Sequence, residues 1–464
     1  MRPLFALISL AALATPAMAQ TDALSDETAM QARTLMENAL ESDVAYDTIR
    51  DLTTRIGPRL AGSEAEARAR DWAVDHLKSL GFKNVRVEPF DMPFWSRVSE
   101  HAEIVSPFPQ PLAITALGNS VATPEGGVTG EIVRFETMND LAAAPMDDSL
   151  KGKIVFVDED MVRTQDGSSY GVAVAKRSGA ANEAAKRGAV AAIIKSVGTD
   201  TFRRPHTGTM RYIDGGTKVP TAALAWPDAE QLTRALAYGP VTVRLDISVL
   251  TKDSVESGNV IAEIPGKTDE LVVIGGHLDS WDLGTGAVDD GAGIGIVTGA
   301  GKVILDLKKK PERTIRIVYF GAEEVGLLGA FAYAKAHATE LDKHVVGAES
   351  DFGAGRIYQL RSRFGESQLD KAAAMQRVLE PLGIALADNE GTGGPDMTPL
   401  RTAGVPVVSL SQNGWDYFDL HHTSDDTFDK IDPDDIAQNV AAYAAFAWMA
   451  ANMEGSFRDA PAAD

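Results

Sequence analysis

Leu271-Val-Val-Ile-Gly-Gly-His-Leu-Asp-Ser-Trp-Asp282 is the stretch on which the fold turns. It opens on an unbroken apolar run, too short for a helix and without polar alternation, as expected of a strand buried on both faces of a sheet. The run stops at Gly275-Gly276 and delivers His277 and Asp279 directly after it. Outward from here the pattern continues: strand 259–264, strand 271–275, helix 291–307, strand 314–320, helix 326–337, strand 344–350, and a closing helix near 433–453. Such alternation predicts an α/β fold, a central sheet covered by helices on both faces. In such sheets the functional side chains sit on loops beyond the carboxyl ends of the strands.

Those ends carry metal-capable residues. They are His277-Leu-Asp279, Asp289-Asp290 at the start of the next helix, Glu323-Glu324 after strand 314–320, and Glu349-Ser-Asp351 after strand 344–350. A further group, His421-His-Thr-Ser-Asp-Asp-Thr427, lies late in the chain. Singly, each has an ordinary explanation: a turn histidine, a helix cap, or an acidic first turn favoured by the helix dipole. Together they do not, because Asp279, Asp289, Asp290, Glu323, Glu324 and Asp351 would crowd one sheet edge. Carboxylates at that density must take up protons or cations. The chain has no cysteine, which excludes disulfides, thiolate zinc sites and cysteine nucleophiles. Histidine and carboxylate ligands suit zinc, with cobalt or manganese as substitutes. Two ions bridged by one carboxylate, roughly 3.5–4 Å apart, form a hydrolytic arrangement.

The 464 residues carry 44 Lys+Arg against 66 Asp+Glu, a net charge of −22. That acidity, with no Lys/Arg block, argues against nucleic acid and anionic membranes as partners. Arg2, the apolar run Leu4 to Leu13 and Ala17-Met18-Ala19 read as a secretory signal peptide over 1–19, which predicts a secreted or periplasmic protein. Residues 20–42 are expected as an N-terminal helical segment and candidate propeptide, within a helical stretch 27–56. Ser63-x-x-Glu66 predicts a capping box on a helix that Gly81 closes. Residues 119–251 have a separate rhythm of strand 151–157, helix 181–187, strands 190–194 and 220–225, and helix 227–236, which predicts a small α/β module. Residues 456–464 are expected as a loose tail.

The set His277-x-Asp279, Asp289, Glu323-Glu324, Asp351 and His422-Thr-x-x-Asp-Thr427 resembles the co-catalytic two-zinc peptidases of the M28 family. The resemblance extends over nearly all of the chain after residue 19, through Gly276 to Asp282, Pro205-His-Thr-Gly208 and the doubled histidine. It implies a three-layer, zinc-exopeptidase-like mixed sheet built from 43–118 and 252–455, with 119–251 as an inserted protease-associated-like domain. It also implies two Zn2+ per chain, one held by His277 and Asp351, the other by Glu324 and His422, with Asp289 bridging and the Asp289–Asp290 peptide cis. Glu323 is then the general base that later protonates the leaving amine. Asp279 is expected to hydrogen-bond His277 and turn its free nitrogen to the metal. Adjacent residues of an extended loop point to opposite sides, so His422 alone is expected as the ligand. His421 then either donates to the developing oxyanion, where relatives can carry a tyrosine, or simply bonds backbone. Gly394-Pro-Asp-Met-Thr-Pro-Leu400 matches the family's substrate-loop motif only loosely, which leaves the specificity pocket less well marked than the metal site.

The implied activity is that of a secreted dizinc exopeptidase acting on dipeptides or short peptides, with a homodimer left open. Arg203, Arg204 and Arg401 are candidate anchors for a substrate carboxylate. The alternatives are an aminopeptidase on longer peptides, a one-zinc acyltransferase resembling glutaminyl cyclases, and a receptor-like binding protein without catalysis. His277 with Asp351, completing a second site, argues against the acyltransferase. A binding protein predicts missing ligands or a missing base, and all are present. Of the remaining histidines, His76, His101, His337 and His344 are expected at the surface, and His206 either helps to line a cleft or holds a loop, the second being favoured.

Overall fold

The computed structural model describes residues 23–459, so the signal-peptide reading of 1–19 and the last residues of the tail lie outside the described part. Leu271–His277, Thr314–Phe320 and His344–Glu349 are parallel neighbours at the centre of the sheet, buried along their whole length. Beyond His344–Glu349 come Val407–Gln412, then the antiparallel Ile357–Arg363 and the short Ala385–Leu386. On the other side Thr314–Phe320 pairs antiparallel with Thr242–Ile264. Successive side chains of a strand face opposite ways. Val272 and Ile274 accordingly pack with residues of Asp26–Leu40, Val44–Arg55, Ala292–Asp306 and Pro433–Asn452, while Val273 packs with Tyr333, Met397 and Leu400. The sheet is thus mixed and sandwiched between two helical layers, as expected.

Thr242–Ile264 is the junction of the molecule. It pairs along its length with Lys83–Ser106, and near its start with Val128–Phe135. From there the sheet runs on through Ile154–Val157, Ala191–Lys195 and Thr221–Leu224, all parallel, to the antiparallel Ile114–Ala116. The segment 119–251 therefore has its own parallel strands and its own helices, Tyr170–Lys186 and Trp226–Leu236, but its sheet is continuous with the main one. Residue 251 falls inside Thr242–Ile264.

Several local expectations are corrected. The stretch 27–56 is two helices, Asp26–Leu40 and Val44–Arg55. Ser63 caps Glu64–Leu80 by accepting the Glu66 N–H at 3.2 Å, but the buried Glu66 carboxylate does not reach back; it pairs with Arg70 at 3.0 Å instead. Gly81 closes this helix with φ 97°. The described part of the tail is docked, not loose. Phe457 is buried against Phe364, and Arg458 donates to the carbonyls of Leu341 and His344. His344, expected at the surface, is fully buried: its Nδ1 lies 2.9 Å from the Glu340 carbonyl and its Nε2 2.9 Å from the Tyr333 hydroxyl. Burial pushes this imidazole down to about 4. Among the described residues no helix is long and apolar enough to cross a membrane.

Candidate metal centre

The site forms where strand ends meet. Asp290 is fully buried and accepts the backbone N–H groups of His277 at 3.0 Å and Gly293 at 2.9 Å, tying the end of Leu271–His277 to the start of Ala292–Asp306. Its carboxylate occupies space that a side chain at position 276 or 293 would fill, which is why both positions are glycine. The Asp289–Asp290 peptide is cis, as the resemblance implies. On the far side Asp426 accepts the N–H groups of Val288 at 2.6 Å and Asp289 at 3.3 Å. Arg59, also fully buried, donates to the carbonyls of Thr285 at 2.7 Å and Gly286 at 2.8 Å. Arg59, Asp290 and Asp426 were not assigned roles from sequence; all three act on backbone groups, for which a motif of side chains carries no signal.

Asp289 stands between two histidines. Its Oδ1 is 3.2 Å from His277 Nε2 and its Oδ2 is 3.3 Å from His422 Nε2. Asp351 Oδ1 lies 3.6 Å from the same His277 nitrogen, and Glu324 Oε2 lies 3.0 Å from the same His422 nitrogen. Atoms bound about 2.1 Å from a tetrahedral zinc stand roughly 3.4 Å apart. The four separations bracket that value. Both rings present Nε2 because their other nitrogens are engaged: His277 Nδ1 with the Asp279 carbonyl at 2.9 Å, His422 Nδ1 with the Thr207 carbonyl at 3.2 Å.

One expectation is refined and another changes here. The hydrogen bond expected from Asp279 to His277 is present but is made by the main-chain oxygen; the carboxylate stands 3.7 Å from the same Nδ1 and accepts the N–H groups of Glu323 at 3.0 Å and Glu324 at 3.3 Å. The two histidines do not diverge. Leu420 to Thr423 form a hydrogen-bonded turn, with His421 at φ −49°, ψ 122° and His422 at φ 61°, close to a type II turn. Being in a turn and not an extended segment, their rings stack with centroids 3.5 Å apart, and His421 Nε2 comes within 3.7 Å of Asp289 Oδ2. The segment 205–208 holds this turn. His206, buried between Asp200 at 2.5 Å and the His421 carbonyl at 2.7 Å, plays the loop-holding role expected of it, and Thr207 donates its N–H to the His422 carbonyl.

The electrostatics call for positive charge. Burial and neighbouring carboxylates hold Glu323 and Asp290 well above the ordinary carboxylate range. Burial opposes charge on His277, yet Asp351 and Asp289 keep its imidazole well above the usual value. His422, likewise buried, is raised to about 9 by Glu324 and Asp289. A cluster that draws protons onto both histidines and several carboxylates is short of cations. Asp289 Oδ2 and Glu324 Oε1 are buried without a hydrogen-bond partner, so the residues present fit metal ions. Groupings of metal-capable atoms within 4.8 Å of one another include His277 with Asp289 and Glu324, His277 with Asp290 and Asp351, and Asp289 with His421 and His422. Nearby, Glu349 and Asp396 form a second buried carboxyl pair; burial and the charge of Asp351 push Glu349 up to about 8.

The centre opens into a cleft of about 310 Å³ lined by Asp289, Glu323, Glu324, Asp351, His421 and His422. Tyr170, Phe352, Tyr417 and Phe418 form its apolar wall, and Pro395 of the loosely matching loop closes one side. None of the expected anchors lines it. Arg203 pairs with Asp228 at 2.8 Å, Arg204 pairs with Asp425, and Arg401 donates to the Thr392 carbonyl at 3.2 Å. Arg177 lines it instead. It was missed because the helix carrying it begins at Tyr170, well before the apolar residues near 181 that signal it.

Residues 259–447 match Peptidase family M28. Carboxypeptidase Q of Mus musculus is 34% identical over 417 residues, spanning 88% of this chain and 86% of that protein. A crystal structure of a peptidase M28 precursor from Shewanella amazonensis superposes with a TM-score of 0.92 at 50% identity, over 94% of this chain and 99% of that one. A zinc aminopeptidase from Bacillus subtilis, 22% identical, shares the fold with a TM-score of 0.63 over 87% of this chain and 94% of that one.

Proposed function

The chain belongs to peptidase family M28 and is a metallopeptidase, and on that premise we propose that it is an exported exopeptidase that hydrolyses dipeptides or short peptides with two zinc ions. The observation that carries the reading is Asp289, whose two oxygens each face a different histidine at zinc-like ligand spacing. His277, Asp351 and Asp289 would hold one ion, and Glu324, His422 and Asp289 the other. When bound, the pair supplies Lewis acidity and brings the pKa of water at the site toward neutrality. Export rests on residues 1–19, and the reading of 119–251 as a protease-associated-like insert rests on its separate helices and strands.

The chain's own groups supply the remaining chemistry. Glu323 lines the cleft with its backbone fixed by Asp279, and takes the proton of the attacking water and passes it to the leaving nitrogen. His421 donates to the oxygen on which charge develops. Burial, reinforced by His422, holds its imidazole well below the usual value, and its Nδ1 is buried without a partner. A neutral ring keeps one N–H for that purpose, a contribution of about 3 kcal/mol when it acts like an oxyanion-hole donor. The reading is tested with Glu323→Gln, measured for zinc content and for turnover of a mixed peptide library. Two ions per chain with nearly all turnover lost is the expected result; one ion at saturation, or full activity in the variant, contradicts it.

A further inference from the structure

Arg177 is the one arginine or lysine among the residues that line this cleft of carboxylates, aromatics and the two histidines. It is 7% exposed, and among the described residues it makes no ion pair. One terminal nitrogen donates to the Tyr170 hydroxyl at 2.7 Å, and its carbon sits 5.4 Å from the centre of that ring. Its Nε and other terminal nitrogen are buried with no hydrogen-bond partner at all. Gly208, at φ 138°, leaves the guanidinium its room, because a side chain there would collide with it. A buried guanidinium with open donors and no counter-charge is expensive to maintain. Its chemical complement is an anion with two acceptor oxygens, above all a carboxylate.

Position narrows which carboxylate. Arg177 shares one cleft of 310 Å³ with Glu323 and both proposed ion sites. Taken as equant, that volume is about 7 Å across, the reach of roughly two extended residues. A carboxylate held there lies within a residue or two of the bond being cut, and in a peptide that is the C-terminal one. Side-chain carboxylates of longer peptides would require the chain to continue past the cleft wall of Tyr170 and Phe418, which stack with ring centres 4.9 Å apart.

We propose that Arg177, supplied by the segment 119–251, binds the free C-terminal carboxylate of the substrate and so makes this cleft selective for dipeptides and short peptides ending in an acid. This rests on the peptidase reading above and adds the feature of the substrate that is read.

The test uses the zinc-loaded full chain and matched dipeptides that differ only in a C-terminal carboxylate or carboxamide. Wild type should prefer the acid. Arg177→Met should lose about 100-fold in kcat/KM on the acid, chiefly through KM, and stay within about threefold on the amide, the size expected for a hydrogen-bonded charge pair. Arg177→Lys should recover part of the loss. Tyr170→Phe, which frees the guanidinium without removing it, should shift the acid in the same direction by less, and serves if the methionine variant does not fold. Equal hydrolysis of acid and amide by wild type, or equal losses on both in the Arg177 variants, overturns the assignment while the peptidase reading stands. Failure of wild type to cleave either peptide overturns the dipeptide reading of the proposed function beneath it.

Discussion

Replacing Asp279 by asparagine separates two ways in which this buried carboxylate could serve the site. Its oxygens accept the N–H groups of Glu323 at 3.0 Å and Glu324 at 3.3 Å. Asparagine keeps one acceptor and turns an amide N–H group toward the other donor, so one charge-assisted bond is lost outright. Such a bond is worth about 1.5–3 kcal/mol. If that energy holds the Glu323 loop in its working position, kcat falls by about 10- to 150-fold, at 1.36 kcal/mol per tenfold. His277 keeps its partner, because its Nδ1 contacts the main-chain oxygen of residue 279 at 2.9 Å, which the substitution leaves in place. Zinc titration with elemental analysis, run beside steady-state peptide hydrolysis, distinguishes the outcomes. Two ions should remain at saturation with kcat depressed, and excess zinc should not restore it. Recovery of wild-type kcat in excess zinc would mean that Asp279 acts through His277 and the metal, and the placement of the base would need another explanation.

His422→Ala should lose one ion and most activity together, whereas His421→Ala should keep two ions and lose kcat; a missing ion in the His421 variant, or an unchanged kcat, refutes its role as a donor. His344 predicts an acid-labile region away from the site. Its folded value of about 4 lies below the ordinary 6.5, so the unfolded chain binds the extra proton between these values. Stability is therefore unaffected above pH 6.5 and lost as pH falls toward 4, by about 3 kcal/mol in all. Urea unfolding of wild type and His344→Gln at pH 7.5 and 4.5 checks this, and equal losses in both proteins would contradict it.

The central strands are legible in sequence because burial on both faces removes polar alternation; Thr314–Phe320 falls where the apolar run places it. The long ribbon is legible only at its start, where Val85, Val87 and Phe90 mark a strand. Lys83–Ser106 has exposed and half-buried positions along most of its length, since it is held by pairing with Thr242–Ile264 more than by a core, and pairing between distant segments leaves no local period. Glu324, His422 and Asp289, the proposed ligands, can be picked out because ligand chemistry would restrict the side chain itself. What Asp279 does through its main-chain oxygen is invisible in the same terms, as any residue carries one. His344 reads as a surface residue at a strand start, and only the approach of Tyr333 and Glu340 makes it an interior one. The stacking of His421 on His422 depends on a left-handed backbone at a non-glycine position, which a pair of identical letters does not announce.

The segment 205–208 grips the histidine turn from outside the main sheet: Thr207 meets both the main chain and the ring of His422, and His206 meets the carbonyl of His421. The same stretch leaves the gap at Gly208 in which Arg177 sits. The turn that carries the proposed ligand His422 and the space that Arg177 fills thereby share one short loop. Grafting the corresponding loop of a relative to change what is cleaved is expected also to retune metal affinity, and libraries randomised at these four positions are expected to show the two traits varying together.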